Sequence, residues 1–115
     1  PVSRINVIDH ASVPDKLEVL INSKEVGLCL LNDPDHRQLF MLNHLEYDHK
    51  SLVEEYLRDK EAGLDTPPPV NTFPNDDITQ EPLNRWRSHA YLLFGNWINQ
   101  LYQTTEYDLN KIGTK

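Results

Sequence analysis

Residues 38–48 constrain the fold of this chain more than any other stretch. They open with an apolar run at 39–42, and a run without alternation is typical of a strand that is covered on both faces. The run leads directly to His44 and Glu46. If the strand persists that far, a spacing of two places both side chains on the same side. The pattern therefore predicts an α/β sheet with an imidazole and a carboxylate at the end of a strand.

His44 and Glu46 are candidates for a general base and its orienting acid. A carboxylate beside a histidine fixes the tautomer of the ring and stabilises the imidazolium that forms when the ring takes a proton. In open α/β sheets, binding and chemistry gather at the carboxyl ends of strands, where this pair is expected. Taken alone, the same two residues also fit a hydrogen-bonded loop.

Two further strands are expected before this stretch. Alternating residues predict one at 17–22, a turn region follows around Gly27, and the residues at 28–31 predict a second strand. Strong turn formers occupy 32–35, so the third strand is expected at 38–43. Because short turns join the three strands, we expect them to be antiparallel neighbours.

Two helices are expected after the strands. Residues 51–54 have the form of a capping box, with Asp48 as a competing start, and Gly63 is a natural stop for the first helix. Residues 64–82 are a proline-rich connection, because proline fixes φ and removes a backbone donor. The second helix is expected at 83–103, with an aromatic face that packs over the sheet.

Composition argues against several classes of function. A net charge of −7 disfavours nucleic acid and anionic membranes as partners, and no apolar run approaches the ~20 residues of a membrane helix. Cys29 is the single cysteine, which fits a reducing cytoplasmic compartment. Because leucines flank it, we expect a small buried residue, not a nucleophile. No metal site is predicted, because no shared ligand spacing relates His10, His36, His49 and His89.

Several segments of the chain, in order and at matching spacing, resemble the C-terminal half of the homoserine O-acyltransferases, the homoserine O-succinyltransferase and O-acetyltransferase family. They are PVSR (1–4), NHLEYD (43–48), LVEEYLRD (52–59), AGLD (62–65), NTFPNDD (71–77), WRSH (86–89) and LFGNW (93–97). The resemblance implies a class I glutamine amidotransferase-like fold, a three-layer, flavodoxin-like α/β domain. It also implies that residues 1–115 are the C-terminal portion of one such domain, with the upstream half absent.

The resemblance assigns roles to four residues. His44 would be the general base, and Glu46 would orient it. Ser3 and Arg58 would hold the amino-acid substrate, and the planar, permanently charged fork of Arg suits a carboxylate. By residue type alone, Ser3 also fits a loop hydroxyl that caps a backbone group, and Arg58 fits a surface cation paired with an acid at helical spacing.

The resemblance implies an acyl-CoA-dependent enzyme of methionine biosynthesis. An acetyl or succinyl group would pass from acyl-CoA, a co-substrate and not a bound cofactor, to a cysteine of the upstream half and then to the homoserine hydroxyl. Residues 43–46 replace the Gly-His-Pro-Glu of some members, so a serine O-acetyltransferase of cysteine biosynthesis is an alternative. A module that only binds an amino acid or a subunit is the rival from another class. The expected partners are the upstream half and a second copy in a homodimer.

Overall fold

A computed structural model of the chain describes residues 1–113, apart from the side chain of Leu109. The chain forms two compact units, Pro1–Asn84 and Arg85–Lys115. The first contains a three-stranded sheet and a helix, and the second contains one long helix. The expected α/β class, with antiparallel strands and two helices, is confirmed. None of the helices within residues 1–113 is long and apolar enough to cross a membrane.

The sheet has the order β1-β2-β3, formed by Glu18–Ser23, Gly27–Asp33 and Gln38–Met41. Both pairs of neighbours are antiparallel, as predicted from the short turns. Gly27 follows the first turn with a φ of +73°, a conformation that glycine adopts without a steric penalty. The predicted strands are thus present, with ends that shift by one or two residues.

Burial in the sheet is concentrated in the central strand. In β2, the residues at 28–31 are each no more than 5% exposed, which confirms the prediction that Cys29 is a small buried residue. Strand β3 was expected to be covered on both faces, but Phe40 is 40% exposed. This expectation was wrong within the described chain because β3 is an edge strand with one hydrogen-bonded neighbour.

An irregularity in β1 breaks the alternation that predicted this strand. Val19 pairs with Leu31, but Ile21 pairs with Leu30, so one extra residue of β1 lies between the two pairs. A bulge of this kind moves the following side chains to the other face. Ile21 is consequently 49% exposed instead of sharing the apolar face of Val19.

Helix α1 spans Ser51–Glu61 and has a defined signal at each end. At its start, Asp48 Oδ1 accepts hydrogen bonds from the backbone N–H groups of Lys50 and Ser51, so Asp48 provides the capping oxygen and not the predicted box. At its end, Gly63 has a φ of +77° and Leu64 donates to the carbonyl of Asp59. This is a Schellman-type ending, which confirms Gly63 as the stop.

The proline-rich connection contains only a short 3-10 turn, Pro74–Asp76, as its composition predicted. Thr72 and Phe73 are buried within it. The backbone N–H of Leu83 donates to the carbonyl of Thr72 at 2.8 Å, so Leu83 belongs to this loop and not to the second helix. Two further 3-10 turns are short, His10–Ser12 and Leu109–Lys111.

Helix α2 spans Arg87–Thr104 and forms most of the second unit. It begins four residues after the predicted start at 83. Ala90 is its buried residue, whereas Trp97 and Ile98 of the predicted apolar face are 39% and 60% exposed. The packing of this face over the sheet stays a prediction.

Candidate active site

His44 and Glu46 lie in the loop between β3 and α1 and not on a strand. Strand β3 ends at Met41, two residues before the predicted end at 43, so the condition for a shared strand face is not met. Backbone hydrogen bonds to β2 and to the N-terminal residue fix the position of this loop instead. Leu42 N–H donates to the carbonyl of Cys29 in β2, and His44 N–H donates to the carbonyl of Pro1, both at 2.9 Å.

The two side chains nevertheless form the predicted pair. His44 Nδ1 lies 2.7 Å from Glu46 Oε1, and the histidine side chain is 36% exposed. This hydrogen bond is the main cause that lowers the pKa of Glu46, against an opposing effect of burial. The carboxylate is therefore ionised at neutral pH and favours a proton on Nδ1. Nε2 is then the ring nitrogen that can accept a proton from a substrate.

Tyr47 is a member of the site that the sequence reasoning did not identify. Its ring stacks on the imidazole of His44, with centroids 4.4 Å apart and ring planes 19° apart. Its hydroxyl donates to Glu55 Oε1 at 2.6 Å. This hydrogen bond, with burial, raises the pKa of Tyr47 to about 12, so the phenol stays protonated at neutral pH. Tyr47 thus links the imidazole to helix α1.

Glu55 joins the N-terminal segment to the rest of the site. Burial raises the pKa of Glu55, but hydrogen bonds from Ser3 and Tyr47 and the charge of Arg58 outweigh it, and the net pKa is lowered. The carboxylate is therefore ionised at neutral pH. Oε2 is buried and accepts no hydrogen bond from the described residues. Ser3, which was expected near the substrate, thus acts on the same carboxylate as Tyr47 and lowers its pKa.

Arg58 lies on the same helix as Glu55, and its guanidinium pairs with the adjacent Asp59. Nε and Nη2 donate to Asp59 Oδ1 at 3.0 and 2.8 Å, and this pairing raises the pKa of Arg58. Its side chain is 69% exposed. The alternative of a pairing with Glu54 or Glu55 at helical spacing was wrong, because the ion pair forms with the next residue along the chain. The charge of Arg58 also acts on Glu55 and Tyr47.

Two residues that were missed, Tyr47 and Glu55, connect His44 to helix α1, the helix that also carries Arg58. Tyr47 directly follows Glu46, and Glu55 precedes Arg58 by three residues. On a helix, residues three apart share a face, so the second spacing was a usable signal. Within residues 1–113, no group of three or more His, Cys, Asp or Glu side chains could hold a metal ion.

Comparison with known proteins identifies the family. A family model described as Homoserine O-succinyltransferase matches residues 1–107. The chain belongs to this family. This match confirms the resemblance to that family which the sequence segments indicated.

The relatives of this chain are named after two different acyl transfers, succinyl and acetyl. A homoserine O-succinyltransferase of Pelagibacterium halotolerans is 61% identical over 99% of this chain and 37% of its own length. Proteins named homoserine O-acetyltransferase from Brucella canis and Brucella suis are each 54% identical over 98% of this chain and 38% of their own length. The chain thus spans less than two fifths of the length of these curated relatives.

Proposed function

We propose that this chain supplies the general base and the amino-acid site of an acyl-CoA-dependent homoserine O-acyltransferase. The observation that carries the proposal is the hydrogen bond of 2.7 Å between His44 Nδ1 and Glu46 Oε1. Glu46 orients the ring and balances the imidazolium charge, so Nε2 can take and return a proton. Membership of the homoserine O-succinyltransferase family supports this assignment.

The reaction is a double displacement in which His44 acts twice. A cysteine thiol of the upstream part gives its proton to His44 and attacks the acyl-CoA carbonyl. The bond to the CoA sulfur breaks, and CoA leaves with that proton. The homoserine hydroxyl then gives its proton to His44 and attacks the thioester, and the cysteine sulfur leaves and is reprotonated. Cys29 does not take this role because it is 3% exposed within β2.

The amino-acid substrate is bound by Arg58 and Ser3 in this proposal. The guanidinium of Arg58 is largely exposed, and its pairing with Asp59 engages Nε and Nη2, so a substrate carboxylate can reach the side of the fork that carries Nη1. The Ser3 hydroxyl, which acts on the pKa of Glu55, would contact the acceptor. These contacts would place the acceptor hydroxyl against the free nitrogen of His44.

The proposal extends to the architecture of the whole protein. Residues 1–115 form the C-terminal portion of a three-layer, class I glutamine amidotransferase-like domain, and the upstream part supplies the nucleophile. The chain matches less than two fifths of the length of its relatives, and this partial match supports the division. We further propose a cytoplasmic homodimer that acts in methionine biosynthesis.

The test uses the full natural protein that carries these residues. Acetyl-CoA and succinyl-CoA are each supplied with homoserine or serine, while CoA release and the mass of the acylated product are measured. The proposal predicts an acyl-enzyme thioester and transfer to homoserine from one of the two donors. Transfer to serine alone would assign the serine O-acetyltransferase of the same family. Amino-acid binding without CoA release would assign a binding module and refute the transferase.

A further inference from the structure

The candidate base lies in a loop, and a loop by itself holds a side chain less precisely than a strand or a helix does. Strand β3 ends at Met41, before His44 is reached. A group that moves protons must be held within about 0.5 Å and 10–20° of its productive geometry. The hydrogen bond to Glu46 fixes one ring atom, and Glu46 belongs to the same loop. A single contact of this kind leaves the plane of the ring free to tilt.

Tyr47 supplies a second contact, on the face of the imidazole. The centroids of the two rings are 4.4 Å apart, and their planes are 19° apart. Stacked rings attract each other, and a tilt of the imidazole towards Tyr47 would push it into the phenol ring. Because the contact is on the face of the ring, Tyr47 leaves the in-plane lone pair of Nε2 uncovered. The stack thus fixes the ring plane without covering the atom that accepts the proton.

The hydroxyl of Tyr47 connects this stack to helix α1. It donates to Glu55 Oε1 at 2.6 Å, and a hydrogen bond to an ionised carboxylate is stronger than one between neutral groups. The next residue, Asp48, accepts hydrogen bonds from the backbone N–H groups of Lys50 and Ser51 at the start of the same helix. The loop is therefore attached to α1 by two consecutive side chains.

From these contacts, we propose that Tyr47 is a positioning residue for the general base: its ring fixes the plane of His44, and its hydroxyl anchors that ring to helix α1. This inference rests on the proposed function and deepens it. In the proposed reaction, His44 takes a proton in both half-reactions, so Tyr47 serves both. A residue that only bound the amino acid would serve the second half-reaction alone, and this difference makes the role testable.

The experiment compares two substitutions of Tyr47 in the full natural protein, supplied with acetyl-CoA or succinyl-CoA and with homoserine. Tyr47→Leu removes the stacked ring, and we expect kcat to fall by roughly tenfold or more while KM for homoserine changes by no more than about twofold. Tyr47→Phe keeps the ring and loses only the anchor, so kcat should fall by about two- to fivefold. Tyr91→Leu is the matched control at a side chain that is 73% exposed, and it should leave kcat unchanged.

Two readouts separate positioning of the base from a general loss of structure. In Tyr47→Leu, the burst of CoA release before homoserine is added and the later transfer to homoserine should slow by a similar factor. In a His44→Ala background, Tyr47→Leu should cost no more than about a further twofold, because a positioning residue has no effect once the group it positions is gone.

Three results would overturn the inference. An undiminished kcat in Tyr47→Leu would show that the stack positions nothing. A loss confined to KM for homoserine, or to the second half-reaction, would assign Tyr47 to substrate binding. The same factor of loss with and without the His44 imidazole would assign it a structural role only.

Nuclear magnetic resonance tests the stack without an activity assay. A phenol ring on the face of the imidazole shifts the Cε1 proton of His44 upfield, and this shift should persist in Tyr47→Phe and disappear in Tyr47→Leu. If Tyr47→Leu does not fold, the wild-type spectrum decides, and a His44 proton at its random-coil position would overturn the inference. If the wild-type protein transfers no acyl group to homoserine, the proposed function fails even where the shift is present.

Discussion

Replacing Tyr47 by Phe removes one oxygen from the centre of the site and leaves the aromatic ring in place. The lost hydroxyl donates at 2.6 Å to an ionised carboxylate, Glu55 Oε1. A hydrogen bond to a charged group contributes about 1.5–3 kcal/mol. Because Tyr47 is half-buried, solvent competes for this bond, and we expect Tyr47→Phe to lower the free energy of unfolding by about 1–2 kcal/mol.

Urea unfolding of the full natural protein measures this loss as a shift of the midpoint at constant slope. The matched control is Tyr91→Phe, the same chemical change at a side chain that is 73% exposed. It should change the free energy by no more than ~0.5 kcal/mol. Equal effects of the two substitutions would refute the reasoning, because the hydroxyl of Tyr47 would then contribute no more than an exposed phenol.

The pH dependence gives the same prediction a second test. The pKa of Tyr47 is raised from 10.0 to about 12 in the folded protein. A group whose pKa is raised on folding contributes stability that is fully present below its unfolded pKa and is lost as the pH rises through its folded pKa. The difference between wild type and Tyr47→Phe should therefore be constant up to about pH 10 and should vanish towards pH 12. A difference that disappears below pH 9 would contradict the assignment.

Two further predictions concern the sheet. Hydrogen bonds from His36 lower the pKa of Asp33 below 3.8, so Asp33→Asn should destabilise the protein at neutral pH. That difference should shrink as the pH falls below about 4, and chemical unfolding at several pH values checks it. Cys29 is 3% exposed in β2, so iodoacetamide should alkylate it only as fast as the protein unfolds. Peptide-resolved mass spectrometry measures the rate of this labelling. Labelling at the rate of a free thiol would contradict this burial.

Local sequence patterns predicted the elements of the fold. Turn residues at 32–35 and the apolar runs beside them indicate antiparallel strands because the chain must reverse within a few residues. Gly63 marked the end of α1 because the left-handed conformation there suits glycine. The pair of His44 and Glu46 was also predictable, since two residues so close in sequence can reach each other from a loop as well as from a strand.

Features that depend on tertiary contacts could not be predicted in this way. Periodicity does not show where a strand stops, and β3 ended at Met41 because its pairing with β2 ends close to there. The sequence offered both Asp48 and the box at 51–54 as starts of α1, and the choice of Asp48 depends on the loop path before the helix. Tyr47 and Glu55 meet across eight residues, and no single local pattern indicates that contact.

The central claim is that Glu46 acts through His44, and a double-mutant cycle on kcat/KM for homoserine in the full natural protein tests it most directly. His44→Ala should lower turnover by roughly 10²-fold or more if the base is essential. Glu46→Gln should also cause a large loss in the wild-type background, but only a change of about twofold when His44 is already Ala, because residues that act as a unit are not additive. The same factor of loss in both backgrounds, or near wild-type rates for His44→Ala, would contradict the account.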